Sequence, residues 1–389
     1  MKILSIAPTP FFSDRGCHVR ILEETKALME LGHDVTICTY HIGRNIKNID
    51  IKRIPNIPWY NKLEAGPSYH MLYLDVLLLF RSLQMTIKEK PDIIHAHLHE
   101  GALIGKFCSK LRNIPLVFDV QGSLSGEMAA HSFMKSNGFL YKIIFRLESI
   151  INNMSDVIIT SSTNMAEILK TRFEVDENKI FIIPDGVDTE TFHPNYDTKD
   201  LRKKLGIGND KKVIVFLGLL NEYQGVNLLI ESVPHVIKEI ADAHFLIMGF
   251  PNVVKYQKMA KELEVLDHIT FTGRIDYSEA PLYLNLGDIA VSPKIPSSGE
   301  GNGKIYNYMA CGLPTVVFDY PTNIEILGDT GVYAKSANLE SLSKELIKLL
   351  MDNDKQKHVS LKVREKAIIK YSWTNVGKKI ISTYLKVLL

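Results

Sequence analysis

The hydrophobic positions of the chain fall into short β-branched runs that alternate with longer amphipathic stretches. In the first half, these runs predict strands at KILSIAP, DVTICTY, DIKRIP, DIIHAH, PLVFDVQ, DVIITSS and KIFIIP. Amphipathic stretches such as 17–31, 101–112 and 163–173 predict helices between them. Short buried strands that alternate with helices are typical of a parallel sheet covered on both faces. We therefore predict a doubly wound α/β domain in this half.

The second half repeats the pattern with a new series of strands, KKVIVFLG, HFLIMG, ITFTG, DIAVSP, PTVVFD and GVYA. Helical stretches again lie between them, as at 225–240, 252–264 and 302–311. The polar, turn-rich segment 185–200 separates the two series. We predict Rossmann-like domains over 1–190 and 191–370, followed by a C-terminal helix over 371–389 that packs back on the N-terminal domain.

Composition narrows the functional class without naming it. The 389 residues are 46% hydrophobic and 23% charged, which indicates a soluble globular protein of two domains. A net charge of +2 gives no reason to expect a nucleic-acid partner. The four cysteines are scattered and form no C-x-x-C pair, which fits a reducing cytoplasm and argues against structural zinc. The longest apolar stretch, 71–80, is too short to cross a bilayer.

Candidate site residues are those that follow the strands, because open parallel sheets bind ligands beyond the carboxyl ends of their strands. Two such domains facing each other would form an interdomain cleft. Arg15 and Gly16 follow the first strand, where backbone N–H groups and a guanidinium suit a phosphate or a sugar. The alternative is a solvated turn. Asp119 and Gln121 share one face after the fifth strand, and Gln121 exchanges hydrogen bonds but cannot shuttle a proton.

Three histidines, His95, His97 and His99, alternate at the end of the fourth strand. An extended backbone would place all three on one face, where imidazoles could bind zinc. No fourth ligand is identifiable, so we interpret them as polar cleft lining and predict no metal site.

The glycine-rich stretch EGNGK (300–304) opens a short helix in the second half. It is not a Walker A loop, because Ser298 stands where the first glycine is needed and Ile305 where a hydroxyl should follow Lys304. A glycine loop at a helix start can still present N–H groups to an anion. The alternative is a plain surface turn. A D-x-D pattern, Asp352-Asn353-Asp354, lies between two helical stretches, and we interpret it as a polar helix connection.

The sequence resembles the retaining glycosyltransferases of family 4, which have the GT-B fold of two facing Rossmann-like domains. The resemblance covers nearly the whole chain. It rests on LGHDVTI (31–37), PDIIHAH (91–97), IIPDGVDTETFHP (182–194), FLG with QGVNLLIES (216–232), FLIMG (245–249) and NYMACGLPTVV (307–317). It implies a nucleotide-diphosphate sugar donor bound mainly by the C-terminal domain and an acceptor hydroxyl bound mainly by the N-terminal domain. It also implies metal-independent transfer without a protein nucleophile or a cofactor.

The resemblance suggests which residues act. Catalytic roles fall to Gln121, Glu300 and Lys304. Substrate binding falls to Arg15, Gly16, His97, Gln224, Gly249, Arg274, Gly301, Asn302, Gly303 and Asn307. Lys304, beside the glycine loop, is the best-placed cation for the diphosphate, with Arg15 and Arg274 as alternatives.

The chain departs from the family pattern at several polar positions, which makes it an atypical member. The usual arginine and lysine after FLG are Leu219 and Gln224, the usual histidine is Gln121, and the second glutamate of the loop motif is Asn307. The first glutamate should fall at Gly299, one residue before Glu300. These changes leave open a catalytically silent protein that binds nucleotide or scaffolds a partner transferase, but we favour the enzyme.

The acceptor is expected to be a glycan or a lipid-linked glycan. Segment 53–80 in the first domain combines aromatic and basic side chains with a long apolar face. Such a segment could rest on the cytoplasmic face of a membrane and admit a lipid acceptor. The alternative is an ordinary loop followed by a core helix.

Overall fold

The computed structural model describes residues 1–13, 16–63, 70–126, 138–295 and 301–388. The chain divides into two compact units. The first contains Met1–Gly186, Gly301 and Trp373–Leu389, and the second contains Val187–Pro296 and Asn302–Ser372. The first break therefore lies between Gly186 and Val187, four residues before the position expected from the sequence (190 − 186).

The first unit is built on a seven-stranded parallel sheet. Its strands are β1 (Lys2–Ala7), β2 (Asp34–Thr39), β3 (Asp50–Arg53), β4 (Ile93–His97), β5 (Leu116–Val120), β6 (Val157–Thr160) and β7 (Ile180–Ile182). They are arranged in the order β3-β2-β1-β4-β5-β6-β7. The order reverses direction at β1, so the carboxyl ends of β1 and β4 flank the point where ligands bind in doubly wound folds.

Six helices in the described residues of the first unit cover this sheet on both faces. They are α1 (Gly16–Glu30), α2 (Met71–Glu89), α3 (Leu98–Arg112), α4 (Phe139–Asn153), α5 (Thr163–Arg172) and α14 (Trp373–Leu388). Crossover connections between parallel strands are right-handed. The connection from β1 to β2 therefore places α1 on one face of the sheet. The connections from β3 to β4, from β4 to β5 and from β5 to β6 cross the sheet in the opposite direction and place α2, α3 and α4 on the other face. The packing agrees, since α1 contacts α14 while α3 contacts both α2 and α4.

The second unit has a six-stranded parallel sheet in the order β10-β9-β8-β11-β12-β13. Its strands are β8 (Lys212–Leu217), β9 (Ala243–Met248), β10 (Ile269–Gly273), β11 (Ile289–Ser292), β12 (Thr315–Phe318) and β13 (Val332–Ala334). Its helices are α6 (Lys199–Lys204), α7 (Val226–Glu239), α8 (Val253–Glu262), α9 (Ala280–Leu284), α10 (Lys304–Ala310), α11 (Pro321–Leu327), α12 (Leu339–Met351) and α13 (Asn353–Tyr371). Short 3-10 turns are Glu177–Lys179 in the first unit and Leu266–His268, Tyr277–Glu279 and Gly328–Thr330 in the second.

Two parallel sheets, each covered by helices, confirm the predicted α/β class. The central strands are buried on both faces, as the side chains of β9 show from Ala243 to Met248, whereas the edge strands β3 and β7 are partly exposed. This burial explains why the strands appear in the sequence as continuous apolar runs rather than alternating ones. The polar helix connection is also confirmed, because the Asp352 side chain accepts a hydrogen bond from the Lys355 backbone and caps α13. Within the described residues, no helix is both long and apolar enough to cross a bilayer.

Candidate functional site

A buried ionic network occupies the carboxyl edge of the first sheet. Arg20, on α1, donates hydrogen bonds from Nε to Asp119 Oδ2 at 2.8 Å and from Nη2 to Asp119 Oδ1 at 3.1 Å. Its Nη1 donates to Asp185 Oδ1 at 2.5 Å. Arg20 and Asp119 are both buried. One guanidinium therefore joins the end of β5 to the segment that follows β7.

Asp119 is also the anchor for two of the predicted site residues. His97 faces Asp119 in the register of β4 and β5, and its Nδ1 lies 3.2 Å from Asp119 Oδ2. Gln121 donates from Nε2 to the same oxygen at 3.3 Å. Burial would raise the pKa of Asp119, but the charge of Arg20 and the hydrogen bond with His97 hold that pKa well below its usual value. Asp119 is therefore a carboxylate at neutral pH and fixes both side chains.

Glu24 lies one helical turn after Arg20 on α1. Arg20 Nη2 is 3.0 Å from Glu24 Oε1, yet neither oxygen of Glu24 has a hydrogen-bond partner among the described residues. Burial raises the pKa of Glu24 well above its usual value; Arg20 opposes this shift, and the charge of Asp119 adds to it. His95 Nε2 lies 3.9 Å from Glu24 Oε2, and His95 Nδ1 lies 2.5 Å from the Tyr384 hydroxyl on α14.

Four buried side chains of this network resemble a metal-ligand set. Glu24, His95, His97 and Asp119 offer ligand atoms that all lie within 4.8 Å of one another. The Arg20 guanidinium, however, is already within 3.0 Å of both carboxylates. A divalent cation among these ligands would be repelled by that fixed charge and would have to break its hydrogen bonds. We therefore assign no metal to the cluster.

The prediction that three histidines share one face is wrong for His99. Strand β4 ends at His97 and helix α3 begins at Leu98, so the extended alternation stops before His99. His99 turns away from the network, and its Nε2 lies 3.6 Å from the buried carboxylate of Glu148. His95 and His97 remain together, with their rings stacked at 4.5 Å between centroids.

Lys304 is a charged residue near the carboxyl end of β8, at the carboxyl edge of the second sheet. It opens α10, is half-buried, and donates from Nζ to Gln224 Oε1 at 2.6 Å. Its ammonium also lies 4.3 Å from the ring centroid of Phe216 in β8. No carboxylate contacts Lys304 in the part of the chain that the structure describes. Burial lowers the pKa of Lys304 well below its usual value, and the charge of the buried Lys294 lowers it further.

Glycines make room for this lysine and for the turns around it. A Cβ added at Gly218, which follows β8, would lie 2.6 Å from Lys304 Nζ. Gly249 follows β9, and a Cβ there would overlap the carbonyl oxygen of Gly218. Gly225 has a φ of +74° before α7, and a Cβ there would overlap the carbonyl oxygen of Pro293. The strand ends can approach each other this closely only without side chains.

The described residues that directly precede α10 are held by hydrogen bonds. The Asn302 side chain donates to Ser292 Oγ at 3.0 Å and to Asn323 Oδ1 at 3.1 Å, so it braces the loop against β11 and α11. The backbone N–H groups of Ile305 and Tyr306 donate to the carbonyls of Asn302 and Gly303. These two amides are therefore already engaged within the turn.

The other predicted substrate-binding residues occupy varied positions. Gly16 is the exposed first residue of α1, and Gly303 is the exposed residue before α10. Asn307 is half-buried on α10. Arg274 is exposed after β10, with its guanidinium 5.3 Å from the Phe250 ring centroid. Gly301 groups with the first unit, where a Cβ would lie 3.3 Å from Ser161 Oγ.

Two predicted residues, Arg15 and Glu300, lie outside the described residues. The same holds for part of the segment 53–80, whose residues 64–69 are not described. In its described part, Trp59 is 74% exposed, and α2 begins at Met71 with Leu72 exposed.

Arg20, Glu24 and Phe216 belong to the site but were not predicted from the sequence. A usable signal existed for the first two, because they lie four residues apart on a helix and flank the buried Ile21. A charged pair on the apolar side of a helix is unusual and indicates a buried partner. Phe216 carried no such signal, since an aromatic residue in a buried strand is ordinary.

Comparison with known proteins places the chain in a family. The model for glycosyltransferase family 4 matches residues 15–191, and the model for glycosyl transferases group 1 matches residues 197–366. An uncharacterized glycosyltransferase of Methanocaldococcus jannaschii is 24% identical over 99% of this chain and 98% of its own.

Two solved structures share the fold. Sucrose-phosphate synthase from Thermosynechococcus elongatus superposes with a TM-score of 0.82 at 16% identity, covering 99% of this chain and 98% of that one. HepE of Anabaena, in complex with UDP, has a TM-score of 0.79 at 16% identity, covering 99% of this chain and 100% of that one. Taken with the two parallel-sheet units and the two family models, these comparisons show that the chain belongs to the family 4 glycosyltransferases and has the GT-B fold.

Proposed function

We propose that this glycosyltransferase moves a sugar from a nucleotide-diphosphate donor to an acceptor hydroxyl, with retention of the anomeric configuration and without a metal ion. The proposal rests on the surroundings of the Lys304 ammonium. Its ammonium rests against a neutral amide and an aromatic ring, and burial, with the charge of Lys294 added to it, disfavours its protonated form. A diphosphate would supply the negative charge that the described residues around Lys304 lack. HepE, which has the same fold, is known with UDP bound, which supports a nucleotide donor.

In the proposed reaction, the acceptor oxygen forms a bond to the anomeric carbon of the donor sugar. The bond between that carbon and the diphosphate oxygen breaks, and its electron pair stays on the diphosphate. The acceptor proton passes to the departing diphosphate oxygen, so the products are a glycoside and a nucleoside diphosphate. No protein nucleophile is needed. Lys304 would stabilise the charge that develops on the leaving group.

The other predicted residues take supporting roles in this proposal. Gln121 is fixed by Asp119 and can orient a hydroxyl through its side-chain amide. Gln224 holds Lys304 in place rather than replacing the usual cation. Gly249 admits the close approach of the strand ends, while Asn307, Arg274 and Gly303 remain candidates for donor contact. We propose a glycan or a lipid-linked glycan as acceptor.

Thermal-shift screening against UDP, GDP, ADP and their sugars tests the proposal, because a bound ligand raises the melting temperature. Titration of the best ligand should then be weakened about 10- to 150-fold by Lys304→Met, the cost of one charge-assisted contact. Lys348→Met, at an exposed lysine of α12, is the matched control and should bind like wild type. Equal affinity of the Lys304 variant and the control would refute the assignment.

Donor hydrolysis and product analysis distinguish an enzyme from a binder. A catalytically silent protein is the alternative that Leu219 and Gln224 favour, because they stand where the family resemblance implies two cations. We expect slow release of the nucleoside diphosphate from the donor, and a retained anomeric configuration by NMR when an acceptor is found. Nucleotide binding without any hydrolysis or transfer would support the silent alternative instead.

A further inference from the structure

Three helices of the first unit lie side by side on one face of its sheet and expose apolar side chains outward. The helix α3 contacts α2 on one side and α4 on the other. Each presents an exposed apolar pair spaced four residues apart, which is one helical face: Val76 and Phe80, Leu103 and Phe107, and Ile143 and Leu147. We call these six side chains the three-helix face. A stripe of this kind on adjacent helices is larger than the isolated apolar residues that ordinary surfaces carry.

The exposed charges on the same helices have a single sign. They are Lys88 on α2, Lys110 and Arg112 on α3, and Lys142 and Arg146 on α4. The acidic side chains of the three helices are buried or half-buried. Asp75 accepts a hydrogen bond from the Tyr40 hydroxyl, and Glu148 accepts from the backbone of the segment before α4. The described residues of the three helices thus form an apolar surface with basic side chains, and Glu89, which is half-buried, lies 3.5 Å from Lys88.

We propose that the three-helix face docks on the surface of an anionic lipid bilayer. Apolar side chains on adjacent helices would enter the boundary between headgroups and acyl chains, while lysine and arginine side chains extend to the anionic headgroups. Each basic residue near such a surface strengthens the attraction by about fivefold at moderate ionic strength. None of the three helices can cross the bilayer, so the contact is peripheral. It extends the contact expected at 53–80 to α3 and α4.

Charge complementarity selects the bilayer over a second copy of the chain. In a symmetric dimer, the same patch meets itself, so the five exposed cations would face one another. Like charges brought together across an interface are unfavourable unless acids neutralise them, and the acids of the three helices are buried or half-buried. An anionic headgroup layer supplies that neutralisation. This contact does not depend on the donor chemistry.

Vesicle flotation of the full chain tests this surface. Wild type should float with phosphatidylcholine vesicles that contain phosphatidylglycerol, remain behind with phosphatidylcholine alone, and be released as salt is raised. The variant Phe107→Ser/Leu147→Ser should lose most of the floating fraction. The matched control is Leu361→Ser/Ile369→Ser on α13, where both side chains are also exposed. The control should float like wild type.

A charge variant separates electrostatic attraction from apolar insertion. Lys110→Glu/Arg146→Glu should remove binding to anionic vesicles, while Lys344→Glu/Lys348→Glu on α12 should leave it intact. Unchanged melting temperatures would show that the variants fold. The proposal is overturned if wild type fails to float with anionic vesicles at low salt, or if both control variants lose binding equally. It is also overturned if wild type stays in solution as a dimer that Phe107→Ser/Leu147→Ser dissociates.

Discussion

Asp119 accepts two hydrogen bonds from Arg20, at 2.8 Å from Nε and 3.1 Å from Nη2, where both side chains are shielded from water. The two residues are 99 positions apart in the chain, so this pair fastens α1 to the end of β5. The same guanidinium reaches Asp185 beyond β7. The first unit therefore depends on one cation to neutralise the buried carboxylate of Asp119 and the half-buried one of Asp185.

Arg20→Leu should reduce the free energy of unfolding at neutral pH by about 3–5 kcal/mol, because it leaves buried carboxylates without their cation. Urea titration measures the loss. The double variant Arg20→Leu/Asp119→Leu should be more stable than Arg20→Leu alone, since it removes the charge that was left unpaired. A double variant that is less stable than the single one would contradict this account.

Glu24→Gln should raise the melting temperature by a few degrees at about pH 8 and leave it unchanged below about pH 4. The folded pKa of Glu24 is raised by burial. Its contribution to stability is therefore fully present below the unfolded pKa, and is lost as the pH rises through the folded one. The amide keeps the shape and removes the buried charge. Glu30→Gln, at an exposed position of the same helix, should change little at either pH.

Lys304→Met should make the free protein more stable at neutral pH while it weakens donor binding. Burial lowers the folded pKa of Lys304, so the unfolded chain binds more protons and wild-type stability increases as the pH rises toward about 10.4. The advantage of the variant should therefore shrink at alkaline pH. Differential scanning calorimetry at neutral and alkaline pH measures it. A variant less stable than wild type at neutral pH would contradict the prediction.

Two of the predicted site glycines should respond in opposite ways to alanine. Gly249→Ala should cost about 1–3 kcal/mol or more, because its Cβ overlaps the carbonyl oxygen of Gly218. Gly16→Ala should be neutral or stabilising by up to about 1 kcal/mol, because no described atom lies within 4 Å of the added Cβ and alanine favours the helix. Thermal melting compares the pair, and equal destabilisation would show that the strand-end approach is not the cause.

Chelation should leave both donor binding and transfer unchanged. The cluster of two histidines and two carboxylates already contains the Arg20 guanidinium, and our proposed reaction uses no metal. Activity of protein dialysed against EDTA, compared with protein supplied with Mg²⁺ or Mn²⁺, measures this. A loss of activity on chelation, restored by one of these ions, would contradict the metal-independent mechanism.

The sequence was a good guide to the elements of the fold, since each one has a local signature. The run DIIHAH predicted β4 at Ile93–His97, and the stretch 225–240 predicted α7 at Val226–Glu239. A strand that is buried on both faces of a sheet has a continuous run of apolar residues. A helix between parallel strands has a longer amphipathic pattern, because only one side of it faces the sheet. The order of six motifs then indicated the family.

The site was less predictable because its contacts are not local. Gln224 was considered for its place in a motif, but its contact with Lys304 spans 80 positions. His99 was misplaced because a strand end and a helix start meet at Leu98, and the alternation of histidines does not reveal that change. The engagement of the Ile305 and Tyr306 amides also depends on the turn geometry, which residue types alone do not specify.

The contact between His95 and Tyr384 joins positions 289 apart, and α14 packs against α1 at the opposite end of the chain. The residues of the second unit all precede Trp373. The ribosome therefore makes every residue of the second unit before it makes α14. The amino-terminal unit, whose first strand is made first, cannot gain this helix until the residues of the second unit have been synthesised.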